Sequence, residues 1–110
     1  MATNFKNALI KDVGTLRTPI YTSPPSTKTT IIGLSMANVT SSVVSGSLLI
    51  GSGTDSVIVH LVKDIQVAPN STLKPIGKGE KIVLQAGDIL YAQSDTTDAL
   101  DVIVSTVEIV

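Results

Sequence analysis

From residue 29 onward the apolar residues of this chain fall in short Val, Ile and Leu runs, broken by Gly, Pro, Asn, Asp or Ser, and nowhere do they recur at helical spacing. Strands and turns are therefore the only regular structure this pattern supports. Val and Ile supply 25 of the 110 residues and Ser plus Thr another 25. Beta-branched side chains suit a pleated, half-buried surface, and hydroxyl side chains suit the wet side of a sheet without adding charge. One domain of this length buries enough surface to hold a core without metal or disulfide staples.

Strands are expected over residues 29–39, 43–50, 56–67, 71–76, 81–84, 89–94 and 100–110, with Gly33 marking a bulge or close contact and Pro75 pushing its segment to a sheet edge. Turns are expected at Gly51-Ser52-Gly53-Thr54-Asp55, Ala68-Pro69-Asn70-Ser71, Gly77-Lys78-Gly79-Glu80 and Ala86-Gly87-Asp88. The fold class that follows is all-β: a single-domain antiparallel β-sandwich, jelly-roll or Ig-like, with a closed barrel as the nearest rival.

Residues 1–28 have a different texture. Asn4, Lys6, Asn7, Lys11 and Asp12 interrupt isolated apolar residues, and Thr18-Pro19 and Ser23-Pro24-Pro25-Ser26 favour extended or turn backbone. This segment is expected to be an extended arm, with one strand over residues 15–21, preceding a domain at 29–110. Phe5, Leu9, Ile10, Leu16 and Ile20 are its candidate apolar anchors. Several core strands are apolar on both faces: Ile58 and Val62 oppose Val57, Val59 and Leu61, while Ile103, Val107 and Ile109 oppose Leu100, Val102 and Val104. A two-layer sandwich uses one face per strand, so the second face calls for a cover, either the arm or neighbouring subunits. A homo-oligomer is expected, a trimer among its forms.

The material for chemistry is sparse. There is no Cys, no Trp, one His and one Arg, and the formal net charge is -1. No basic stripe invites nucleic acid. No apolar run approaches the roughly 18 residues of a membrane helix, and residues 1–11 do not read as a signal peptide, so a protein without membrane or nucleic-acid partners is expected. His60, alone between Val59 and Leu61, has no second His or thiol with which to build a zinc site. Asp95, Asp98 and Asp101 lack the order of a calcium loop and read as a solvated acidic stretch. Gly77-Lys78-Gly79-Glu80-Lys81 is followed by strand formers rather than the helix a phosphate cradle needs. Asn38-Val39-Thr40 and Asn70-Ser71-Thr72 match the glycosylation triplet, which a Ser/Thr-rich chain supplies by chance. Tyr21, Tyr91 and Phe5 are the only rings available for stacking a sugar, and Glu80 and Glu108 have no local acidic partner for glycoside hydrolysis. No catalytic residue, metal site or cofactor is expected, and the chain reads as a non-enzyme.

The order Tyr21-Thr22-Ser23-Pro24, then Thr30-Ile31-Ile32-Gly33-Leu34-Ser35-Met36-Ala37-Asn38-Val39-Thr40, His60-Leu61-Val62-Lys63-Asp64, Lys81-Ile82-Val83-Leu84-Gln85-Ala86-Gly87-Asp88 and Asp101-Val102-Ile103-Val104-Ser105 resembles small virion structural proteins of tailed bacteriophages. The resemblance spans residues 20–109. It implies a β-sandwich without enzyme activity, attached to the capsid as a decoration or cement protein, or alternatively built into the neck, tail or fibres. The partners it implies are copies of itself and the major capsid protein or other virion proteins, with assembly in the host cytoplasm. Where related chains carry glycine in the turn Pro69-Asn70-Ser71, this one has Asn, which tolerates positive φ. A carbohydrate-binding module is the non-viral alternative.

Overall fold

A computed structural model describes residues 2–53, 57–76 and 81–110. Its strands are β1 (Thr3–Val13), β2 (Thr18–Thr22), β3 (Lys28–Asn38), β4 (Val44–Gly51), β5 (Ile58–Val67), β6 (Thr72–Leu73), β7 (Ile82–Leu84), β8 (Ile89–Ser94) and β9 (Leu100–Ile109). One sheet runs β1-β9-β3-β6, with β7 also on β3, and the other runs β2-β8-β4-β5. Every pairing is antiparallel. The first strand pairs with the last, β2 with β8, β3 with β6 and β7, and β4 with β5. The chain is thus one long hairpin, doubled back between β4 and β5 and rolled so that its arms alternate between two sheets. That is jelly-roll winding, and both sheets keep free edges, so the expected fold class takes its sandwich form rather than a barrel.

Alternation along the strands divides core from surface. In β9, Leu100, Val102, Val104, Thr106 and Glu108 point inward and Asp101, Ile103, Ser105, Val107 and Ile109 outward. β3 does the same with Thr29, Ile31, Leu34, Met36 and Asn38 inside; its register slips by one residue between Ile31 and Gly33, the bulge expected at Gly33. From the opposite sheet Val44, Leu48, Leu90, Ala92, Ile20 and Val67 close the core. No buried polar side-chain atom lacks a partner among the described residues.

The expected boundary between residues 28 and 29 does not separate an arm from a domain. β1 pairs with β9 from Thr3↔Ile109 to Val13↔Leu100, and β2 pairs with β8, so residues 3–22 belong to both sheets. The single strand expected at 15–21 is β2, shifted by a few residues. β1 escapes a sequence reading because it is an edge strand: only Ala8, Ile10 and Val13 are drawn inward, while Phe5 and Leu9 stay exposed among polar neighbours. Deleting residues 2–27 would remove two strands, so it cannot report on arm contacts alone.

Turn chemistry follows local residue type. Asp88 N–H donates to Gln85 O at 3.0 Å and Gly87 has φ of 85°, a type II turn whose third residue must be glycine-like. Asn70 sits at φ 53°, as its tolerance for that region allows. Thr54 and Asp55 of the first expected hairpin loop, and Gly77-Lys78-Gly79-Glu80, lie outside the described residues. Gly53 lies against the Gly87 turn so closely that a Cβ on it would fall 2.5 Å from the Gly87 carbonyl oxygen, and its N–H donates to Asp88 Oδ1 at 3.1 Å. At Gly33 a Cβ would meet only Ser105 at 3.6 Å. Gly53→Ala should therefore lower unfolding stability by about 1–3 kcal/mol, while Gly33→Ala stays within about 0.5 kcal/mol. Urea denaturation of the two variants checks this; equal losses would contradict the close backbone approach.

Candidate interaction surface

The outer face of the β1-β9-β3-β7 sheet is built from residues that a soluble sheet would ordinarily make polar. Register places Phe5, Val107, Thr30 and Val83 in one row across the strands, Asn7, Ser105 and Gly33 in the next, and Leu9, Ile103 and Ser35 in a third. Phe5 is 77% exposed, Leu9 67%, Val83 56% and Ile103 47%. Ile32, extruded by the bulge, joins them and walls a shallow depression with Phe5, Asn7 and Ser105. Lys74, next to Leu73 of β6, borders these rows and lines a depression with Gly33, Ser35, Ile103 and Ser105. Lys28 lies at one end, in the row of Ile109 and Thr3, and Asp101 at the other, opposite Ala37. β1, β9 and β3, about 4.8 Å apart and some ten residues long, with the three-residue β7 at the edge, make a face of roughly 500 Å² with its polar residues included, comparable to the largest patches that monomers leave in water.

Of the five expected arm anchors, the structure brings Phe5 and Leu9 together on this face. Ile20 is 5% exposed inside the core, Ile10 packs against the core, and Leu16, 80% exposed, stands in the turn between β1 and β2. β1 lies beside β9 in the same sheet rather than across it, so the first of the two expected covers is not what shields Ile103 and Val107. The two-faced pattern of β9 was the sequence signal for this surface.

The other sheet exposes Val57, Ile58 and Val59 at its β5 edge, and a polar depression lies on the same sheet. Ser47, His60, Lys63, Asp64, Gln93 and Asp95 line an open depression of about 320 Å³. A serine nucleophile would need its proton directed at an imidazole. Here Ser47 Oγ accepts from Asp64 N–H at 2.9 Å and donates toward the Asp64 carboxylate at 3.4 Å, clipping the bulged β5, where Asp64 has φ of 50°. The acidic stretch is likewise committed to backbone: Asp95 Oδ1 accepts from Ser45 N–H and Asp101 Oδ1 from Asp12 N–H, each at 3.0 Å. Among the described residues no three metal-ligating side chains converge. Tyr91 carries the Arg17 guanidinium 5.0 Å over its ring, and the Tyr21 hydroxyl is bound inside the sandwich, so neither ring is a free platform for a sugar. Asn38 of the first glycosylation triplet is buried. Its Nδ2 donates to Ser42 O and Val67 O, and its Oδ1 accepts from Thr40 N–H and Oγ1, which makes it a loop clamp inaccessible to modification.

The Glu108 carboxylate, 3% exposed, is the one buried acid among the described residues and a partner that sequence reading did not supply. The Tyr21 hydroxyl donates to Glu108 Oε2 across the two sheets, and Lys6 Nζ on β1 lies 3.1 Å from Oε1. Thr29 Oγ1 is 3.0 Å from the Tyr21 hydroxyl and 2.9 Å from Ser23 Oγ. The Tyr21 hydrogen bond, followed by Lys6, holds the Glu108 carboxyl below its ordinary 4.5, outweighing burial; burial first, then Glu108, pushes the Tyr21 phenol above 10.0.

No protein-family model and no curated protein matches the chain. A solved structure from Bacillus, described by the words "Bacillus endospore appendages form a novel family of disulfide-linked pili", is similar over 96% of this chain and 86% of its own, with a TM-score of 0.56 and 14% identity. The likeness is one of fold, and the protein it comes from is structural.

A carboxyl held low contributes stability above its unfolded value and loses it as pH falls through the lower folded value. Unfolding midpoints of the wild type should therefore drop below about pH 4.5 more steeply than those of Glu108→Gln, in which Gln still accepts from Tyr21 but does not titrate. Parallel midpoint-against-pH curves would show that Glu108 is not stabilised as an anion.

Proposed function

We propose that this chain is a non-enzymatic structural subunit whose place is on a phage capsid, as a decoration or cement protein. The observation that carries the structural part is the largely apolar outer face centred on Ile103 and Val107, exposed in a domain many of whose polar side chains are bonded to its own turns and bulges. The residue order shared with small virion proteins of tailed bacteriophages supports the capsid part. In this role the jelly roll is a rigid body, and many modest contacts at repeated sites hold each copy by multivalent attachment. Phe5 and Leu9 belong to the contacting surface. Covering a Phe, Leu, Ile or Val side chain contributes about 1.5–3 kcal/mol before the cost of association.

A subunit of a filament is the second reading, favoured by the fold shared with the pilus structure. Quantitative mass spectrometry of purified virions and of sheared surface filaments separates the two. Hundreds of copies per virion are expected, in fixed ratio to the major capsid protein. A few to a few dozen would move the chain to the neck, tail or fibres, and recovery in filaments alone would favour the second reading over the first.

A further inference from the structure

Among the described residues, the two sheets present four edges, and three of them are blunted. β2 carries Pro19 with a register shift beside it, β5 shifts register twice against β4, and the far side of β3 holds only the two-residue β6 and the three-residue β7. Short strands, proline and bulges are the devices by which an open edge avoids pairing. β1 has none of them over residues 3–10, which pair with β9 without a shift; the register moves only beyond Ile10.

Antiparallel pairing fixes which groups this edge offers. Val110 N–H donates to Ala2 O and Thr106 Oγ1 donates to Lys6 O, so the even-numbered residues turn their backbone groups toward β9. Bonded and non-bonded pairs alternate along a ladder, so Thr3, Phe5, Asn7 and Leu9 turn their N–H and C=O to the open edge. An inward-pointing charge would also deter pairing, but the one on Lys6 is engaged, with Nζ 3.1 Å from Glu108 Oε1.

We propose that this edge pairs antiparallel with β1 of a second copy, about a two-fold axis at Asn7, so that the two β1-β9-β3 sheets run on as one. Asn7 is the midpoint of residues 3–11. Centring there sets Asn7 against its equivalent, Phe5 against Leu9 of the second copy, and Leu9 against Phe5 of the second copy. These bonded pairs supply about six backbone hydrogen bonds. They also bring the exposed Phe5 and Leu9 side chains together twice over, a stabilising cross-strand contact. The Asn7 amide, donor and acceptor in one group, suits its own equivalent. Lys11 falls opposite Thr3, and Lys6 opposite Ala8. Centring on Lys6 would set lysine against lysine, centring on Ala8 would set Phe5 against Lys11, and centring on Phe5 or Leu9 would shorten the ladder. This fit of one strand to itself selects a second copy as the occupant, as an isologous contact requires. Pairing uses the strand's edge and leaves the outer faces of both copies free, so it stands or falls separately from the capsid placement, which copy number in virions tests.

The Asn7 N–H points to the open edge, so Asn7→Pro blocks a second copy while sparing the β1–β9 ladder. The test is sedimentation velocity over a concentration series, with amide hydrogen exchange, on the wild type and Asn7→Pro. The expected result is a wild-type dimer and an Asn7→Pro monomer, with the Phe5 and Leu9 amides exchanging about tenfold or more slowly in the wild type. Asn7→Cys is a second route that does not depend on proline being accommodated. Opposed bonded residues have Cα atoms about 5.5 Å apart, within disulfide reach, and the chain has no cysteine of its own. Mild oxidation should therefore link Asn7→Cys as a dimer and leave Ser105→Cys, one strand further in, unlinked. A dimer that Asn7→Pro leaves intact, or equal linkage of the two cysteine variants, would overturn this edge as the contact. A trimer as the smallest assembly would overturn the two-fold axis. A wild type that is monomeric at every concentration would overturn the dimer and leave the edge to a strand of another protein.

Discussion

Strand β9 is paired along both edges, to β1 on one side and β3 on the other, and its alternation supplies the core with Leu100, Val102 and Val104 while giving the outside Ile103 and Val107. Everything else in that sheet takes its register from this strand. β3 must bulge at Ile32 to keep Thr29, Ile31, Leu34 and Met36 inward against it, and among the described strands β1 pairs with no other. A shift of one residue would exchange the two faces, sending Glu108 outward and Ile109 into the core. The Tyr21–Glu108–Lys6 cluster resists such a shift, since a buried carboxylate that loses its donors is far more costly than an exposed one. The cluster ties β2 of one sheet to β9 and β1 of the other at the end of the sandwich where Thr29 and Ser23 complete the hydrogen bonding.

Much of this architecture is legible in the residues because turn chemistry and strand composition are local. Gly87, Asn70 and the bulge at Gly33 sit where their conformational preferences point, and the expected strands from residue 29 onward coincide with β3 to β9 within a few residues. What local pattern cannot carry is pairing. Nothing in Thr3–Val13 announces that its partner lies at the far end of the chain, and an edge strand that buries little shows little alternation. The same limit hid the Glu108 site, whose three principal members come from three strands in two sheets. The surface was legible in part: the excess of apolar residues on both faces of β9 requires a cover, and the fold narrows what that cover is by placing the first strand beside the sheet instead of over it.

The polar residues that might have suggested chemistry turn out to be structural, each for a separate reason. Ser47 and Asp64 bind each other at a bulge, Asp95 and Asp101 accept backbone N–H groups that strand pairing leaves over, and Asn38 clamps its loop with both ends of its amide. In a chain with few charged side chains, the hydroxyls, amides and carboxylates are absorbed by the irregularities that let two twisted sheets close around one core. The outer face around Ile103 and Val107 is left apolar and exposed.

The pairing of β1 with β9 also governs how the protein is made. Thr106 Oγ1 donates to Lys6 O across a separation of 100 residues, so the first strand has no partner until the last has been synthesised. At roughly 5–20 residues per second, a β1 newly emerged from the ribosome waits about 5–20 s, with Phe5, Leu9 and Ile10 uncovered and an unpaired edge on each side. Contacts this distant in sequence also slow folding after synthesis. Vectorial synthesis therefore works against this topology: the strand that stands at the edge of the finished sheet is, in the nascent chain, the part most in need of a chaperone.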